Sequence, residues 1–374
     1  MIDIKKVARW GFPYAYYKME ERMETIVWGF MFGAILQYAR LNRFNTIAGM
    51  AVLQNLAVAK TMAFTVGLGM LLLQSEILLG WADYHVKPLI LVGVVVGGLL
   101  FGVGMAVLGY CPGTVAISLG QGNLDALVGI LGGLCGALVF AVVYPSLNPL
   151  LGPNLGALSV RSLLPDDILF WSVTSAVAIL FMGIALYLQK LQHHDWRWLH
   201  AAVGLALLNC VLTLPFVAGH PMGASTAFPY AAMTITELGA ESYQAAIAAP
   251  GAWELWFLTG AFLAGLVFAL LHRSFRISSV PELWVRYHGP KPTRRFFWAF
   301  VGGFLLLFGA RMAGGCTSGH VISGGMQLAV SSLVFAVVVF AAFLTTGHYF
   351  YRIRQAVSIP PSPRIVEVNE MEAR

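Results

Sequence analysis

The sequence predicts an all-α polytopic membrane protein, with about nine transmembrane helices plus four short re-entrant helices in two inverted repeats. Three observations predict it. Of 374 residues, 58% are hydrophobic and only 11% charged, against roughly a quarter charged in an ordinary soluble domain. The apolar residues gather in runs of about 20, the length that crosses a hydrocarbon core of about 30 Å, and they lack the period-two alternation of a membrane barrel. Finally, VGGLLFGVGMAVLGYCPGTVAISLGQG from Val96 aligns without gaps on VGGFLLLFGARMAGGCTSGHVISGGMQ from Val301, so that glycines and a cysteine coincide as well as the apolar background.

Taken in order, residues 1–24 mix charges with aromatics around no continuous apolar core, which suits a segment lying along the membrane surface and not a cleaved signal. Repeat 1, residues 25–150, places spans over 25–39, 57–80, 88–109 and 124–144. A linking region, 151–195, holds one span over 168–190. Repeat 2, residues 196–350, places spans over 198–217, 252–271, 296–314 and 328–350, and 351–374 forms a tail. Four further stretches, 44–55, 112–121, 222–238 and 317–326, open on small or polar residues and are too short to span. They read as re-entrant half-helices, which survive at membrane depth only where protein or a water-filled cavity surrounds them. Four spans plus a linking helix make an odd number, so the second repeat enters from the opposite face, with the site expected at the repeat interface near the midplane.

The net charge of +6 is no nucleic-acid footprint, because Lys and Arg cluster between the apolar runs. Fifteen of the 23 fall on one face of a nine-span topology, and the positive-inside bias puts that face, with the C-terminus, in the cytoplasm of a cell whose inner membrane and its lipids surround the chain. Four cysteines, at 111, 135, 210 and 316, sit within or beside apolar segments, which excludes a spaced disulfide framework. No Walker loop, G-x-S-x-G elbow or carboxylate cluster is present, so neither a nucleotide nor another cofactor is called for.

The chemistry concentrates at the repeated cysteines. Cys111 opens GYCPGTVAISLG, with Gly113 and Thr114 in the first turn that follows; Cys316 opens GGCTSGHVISGG, with Thr317, Ser318, Gly319 and His320. Pro112 suits a first helical position, and Thr317 or Ser318 can cap. A helix N-terminus at membrane depth presents unpaired N–H groups and a positive dipole end, whose natural occupant is an anion. Cys135 and Cys210, without repeat partners, read as packed small residues. His320 follows Cys316 by one helical turn, where it either orients the loop or donates to an anion; a soft-metal site needs three or four ligands, and repeat 1 has Val115 at the histidine position. Arg311, an intramembrane charge, either attracts an anion or caps neighbouring carbonyls. Asn45 and Thr46, and Ser225 and Thr226, add donors at the starts of two other half-helices. Methionines 50, 62, 70, 105, 222, 233, 312 and 326 individually read as packing fillers, with some thioethers available to line the route.

GARMAGGCTSGHVISGG, from Gly309, closely resembles the signature of the YeeE/YedE sulfur-transport family, and GVGMAVLGYCPGTVAISLGQG, from Gly102, resembles the motif of that family's other half; the likeness covers about 25–350. It implies a nine-span permease, not an enzyme, that passes a small inorganic sulfur anion, thiosulfate first, along a narrow cysteine-lined pore. Cys111 and Cys316 match two of the family's thiols and the TSGH loop matches the segment beside the second. Asn45 stands where the third is expected, which also suits another sulfur species or a related anion. Two alternatives remain open: a carrier for another sulfur or selenium species or a soft cation, and a membrane sulfurtransferase carrying a cysteine persulfide. A cytoplasmic sulfur-carrier protein is the partner that either sulfur chemistry would call for.

Overall fold

The computed structural model describes residues 12–192 and 195–352; residues 1–11 of the expected surface segment, and the tail from 353, lie outside the described residues. Apart from isolated β-bridges, the regular structure among them is helical. The α-helices are α1 (Phe12–Tyr38), α2 (Phe44–Ala51), α3 (Ala57–Leu78), α4 (Leu91–Leu108), α5 (Pro112–Gly120), α6 (Leu124–Leu147), α7 (Val160–Leu163), α8 (Asp167–Leu191), α9 (Arg197–Thr213), α10 (Ala227–Thr236), α11 (Glu241–Leu271), α12 (Glu282–His288), α13 (Pro292–Ala313) and α14 (Val330–Arg352); Thr317–Gly324 winds as a π-helix between the last two.

Seven segments are long and apolar enough to cross a membrane: α3, α4 running on into α5, α6, α8, α11, α13 and α14. α9, with 17 residues, is shorter, because Pro215 stops a helix expected to reach 217. α11 shifts the other way. It begins at Glu241, well ahead of the expected 252, since Pro250 sits inside the helix, as prolines do in membrane helices whose neighbours restore the lost packing. The short stretches are trimmed as well: α2 ends at Ala51 and α10 begins only at Ala227.

The centre of the molecule is the crossing of α4 and α13, the two helices matched by the internal repeat. A Cβ at Gly97 would lie 2.6 Å from the Gly309 carbonyl oxygen, and one at Gly104 2.7 Å from that of Gly302, so the helices run antiparallel and meet backbone to backbone. Lipid tails are as apolar as leucine, and membrane helices associate through such close small-residue approach and not through a hydrophobic driving force. Around this crossing the major packings come in matched pairs: α4 on α14 and α13 on α6, then α1 on α11 and α9 on α3. α8 rests on α3, and its Ile179 and Leu180 point outward, 64% and 59% exposed.

A buried ion pair fastens the far end of α4. Arg295, on α13, is fully buried and donates Nη2 to Asp125 Oδ2 at 2.7 Å, Nη2 to the Leu108 carbonyl at 2.6 Å and Nη1 to that of Val107 at 3.1 Å. The rings of Phe44 and Trp284 cover its guanidinium. These bonds satisfy helix-end carbonyls that α4 leaves open, and Tyr110, beside Cys111, donates its hydroxyl to the same carboxylate at 3.3 Å.

Candidate functional site

The chain breaks between α4 and α5 at Gly109, whose φ of +76° is left-handed, and Phe44 fills the space that a side chain there would need. Cys111 then forms the N-cap of α5 and Pro112 its first helical residue, as the sequence leads one to expect. The Cys111 N–H donates to Thr114 Oγ1 at 2.8 Å, and that hydroxyl lies 3.3 Å from Cys111 Sγ. Gly113 packs beneath Phe32, whose ring a Cβ would meet at 3.1 Å.

The second cysteine is arranged differently. Cys316 is the N-cap of the π-helix and is buried, its sulfur 3.1 Å from Ser318 Oγ. The wider π winding alters what His320 faces: an imidazole expected beside the thiol is instead fully buried, with Nε2 donating to the Ala313 carbonyl at 2.9 Å and Nδ1 2.9 Å from Ser332 Oγ. Both ring nitrogens are thus engaged by the protein.

Both N-termini open on one narrow cavity of about 70 Å³. Cys111 and Thr114 line it from α5, and Thr317 and Ser318 from the π-helix, whereas Cys316, the residue just before them, is buried and outside the lining; the cavity's remaining wall is almost entirely apolar, drawn mainly from α1, α2, α3, α4 and α9. Met50, Met62 and Met105 bring three thioethers to it. Met50 and Met62 also separate it from a mostly apolar recess of about 380 Å³ between α3, α8 and α14.

Asn45 requires a correction. It is exposed and outside the cavity lining, because its amide is turned to the start of α12, where Oδ1 accepts the Leu283 N–H at 3.1 Å and Nδ2 donates to Glu282 at 3.4 Å. α2 reaches the cavity through Ile47 and Met50 instead. Cys135 is likewise not packed inside but exposed, whereas Cys210 is buried. Cys135 lies on the outer side of α6.

Near Cys316 a polar cluster forms that the sequence reading missed in part. Arg311 donates to Tyr243 Oη at 2.8 Å, Thr226 Oγ1 at 3.0 Å and Ser225 Oγ at 3.2 Å. Glu254 accepts the N–H groups of Thr226 and Ala227 at the start of α10. Lys87, from the loop before α4, reaches over Gly319 and Gly315 to donate to the Gly314 carbonyl at 2.6 Å. Desolvation lowers the Lys87 ammonium below the usual lysine value, which Cys316 and Glu254 oppose and Arg311 reinforces. Glu254 carried a readable signal, a carboxylate inside an apolar run. Lys87 carried none, being one loop charge among many. Among the described residues no three His, Cys, Asp or Glu side chains are grouped to hold a metal ion.

These motifs and this geometry agree with what the chain is similar to. It is 26% identical, over 324 residues, to the thiosulfate transporter TsuA of Spirochaeta thermophila, an alignment covering 81% of this chain and 91% of that one. A family model described as sulphur transport matches residues 39–345, and the chain therefore belongs to the sulphur-transport family.

Proposed function

We propose that the protein is a permease that takes thiosulfate into the cytoplasm across the inner membrane, with Cys111 and Cys316 as the thiols of its passage. The observation that carries this is the meeting of two helix N-termini, Cys111 with Thr114 and Thr317 with Ser318, on one narrow and otherwise apolar cavity. Such termini supply N–H donors and a positive dipole end to an anion that has left water behind, and the thiols and hydroxyls beside them offer short-lived hydrogen bonds from which the anion can move on. Arg311 and Lys87 place positive charge behind Cys316, where it favours the anion's arrival. Gly113 and Gly319 leave room for Phe32 and Lys87, respectively, to close against the two termini.

In this reading α1 and α9 join the seven apolar segments to make nine spans, and α2, α5, α10 and the π-helix are the re-entrant pieces. The antiparallel α4–α13 crossing and the matched helix pairs around it support two inverted repeats. The basic loop between α11 and α13 then faces the cytoplasm, where a reporter fused at His288 should read.

The test is radiolabelled thiosulfate uptake in cells. Serine keeps nearly the shape of cysteine but loses the soft sulfur, so Cys111→Ser and Cys316→Ser should each abolish uptake at normal protein level, while Cys135→Ala and Cys210→Ala leave it nearly intact. Full uptake in the Cys111→Ser, Cys316→Ser double variant overturns the thiol passage. A persulfide mass shift on either cysteine after exposure to thiosulfate would move the protein to the sulfurtransferase reading.

A further inference from the structure

Away from the cysteines, the C-terminal ends of α1 and α11 and the N-terminal end of α9 enclose a cleft of about 760 Å³. Its chemistry changes with depth. Ile35 and Phe268, each about one turn inside a helix end, form an apolar wall, and Arg40 and Arg43 beyond the end of α1, with Arg197 at the first residue of α9, bring three guanidinium groups to the rim. Tyr38 stands between the two zones, with the Arg197 guanidinium 5.9 Å from its ring centroid; an aromatic with one apolar and one polar end suits the membrane–water boundary. Asp195 lies 3.3 Å from Arg197 and offsets part of that charge.

The end of α1 itself holds Arg40 at the rim. Its φ is +56°, the left-handed conformation with which many helices close, as the Leu41 N–H returns to the Leu36 carbonyl at 2.9 Å. Thr46 adds a bond by donating its hydroxyl to the Arg40 carbonyl at 2.9 Å.

We propose that this cleft binds the headgroup of an anionic phospholipid, its phosphate among the arginines and the root of an acyl chain against Ile35 and Phe268. Basic pockets between membrane helices recognise such headgroups by this combination of charge and depth. A free inorganic anion would use the rim but leave the apolar wall without a partner. An acidic protein would use the rim from water and could not reach a wall that lies within the bilayer. The inference invokes neither cysteine and stands apart from the transport reading.

The experiment uses the purified full-length chain in neutral detergent, with lipid retention followed by native mass spectrometry and stability by thermal unfolding. Phosphatidylglycerol or cardiolipin should be retained and should raise the unfolding temperature, and phosphatidylcholine and inorganic phosphate should do neither. Each arginine contributes about five-fold to anionic-lipid affinity, so the Arg40→Gln, Arg43→Gln, Arg197→Gln variant should bind phosphatidylglycerol on the order of 100-fold more weakly. If that variant does not purify as a monodisperse protein, Arg43→Gln and Arg197→Gln singly should each show the five-fold loss. Equal retention of phosphatidylcholine, unchanged affinity in the variants, or full stabilisation by inorganic phosphate alone would overturn the proposal.

Discussion

Within the eight residues of α2, helical spacing decides what meets the cavity. Ile47 and Met50 are three apart and share a face, and that face lines the cavity, while Asn45 is turned toward α12. Reading the position from the family motif says nothing of which way the side chain points, and here it points away from the cavity. Asn45→Leu removes two exposed hydrogen bonds, each worth about 1 kcal/mol, and should leave thiosulfate uptake near normal. Met50→Trp, which adds bulk to a cavity of about 70 Å³, should abolish it with the protein still present in the membrane. A block in Asn45→Leu at full expression would return residue 45 to the route. The cysteines themselves were legible, since repeat symmetry and neighbouring glycines marked them. The roles of His320 and Lys87 were not, because both depend on contacts made across the sequence, with Ser332 for one and Gly314 for the other.

At the scale of elements, long apolar runs gave the helices and their order, while the ends were set by features that hydropathy averages away. Pro215 lies just past the end of α9, whereas Pro250 sits inside α11. The π winding of Thr317–Gly324 was invisible, since α and π helices differ in backbone hydrogen-bond register more than in composition. The turn that presents Cys111 depends on the Arg295–Asp125 pair, which bolts the end of α4 to the start of α6 and, through Tyr110, holds the residue next to the thiol. Both partners are essentially unexposed, 0% and 1%. Removing one leaves the other buried and unpaired, at about 3–5 kcal/mol. Arg295→Met should therefore lower thermal stability strongly and speed alkylation of Cys111 by a small maleimide. An unchanged alkylation rate in folded Arg295→Met protein would show that the pair steadies the helices but not the thiol.

For the whole molecule, the internal repeat was the most informative feature of the sequence, because it marked α4 and α13 as counterparts before any contact between them was known. Their antiparallel crossing is the geometry that a two-fold axis in the membrane plane produces. What the repeat could not convey is how closely the two touch. At Gly97 with Gly309 and Gly104 with Gly302, main chain meets main chain, and no side chain lies between them that could change rotamer. In mechanical terms the crossing is a fulcrum without play, unsuited to the rocking of one half against the other. In the proposed permease the moving parts would then be the size of side chains, with the Met50 and Met62 thioethers, which line both cavities, as shutters and the backbone as a fixed frame. Spin labels at Pro88 and Phe297, near opposite ends of α4 and α13, should report a single distance with and without thiosulfate; a second, substrate-dependent population would show that the halves move after all.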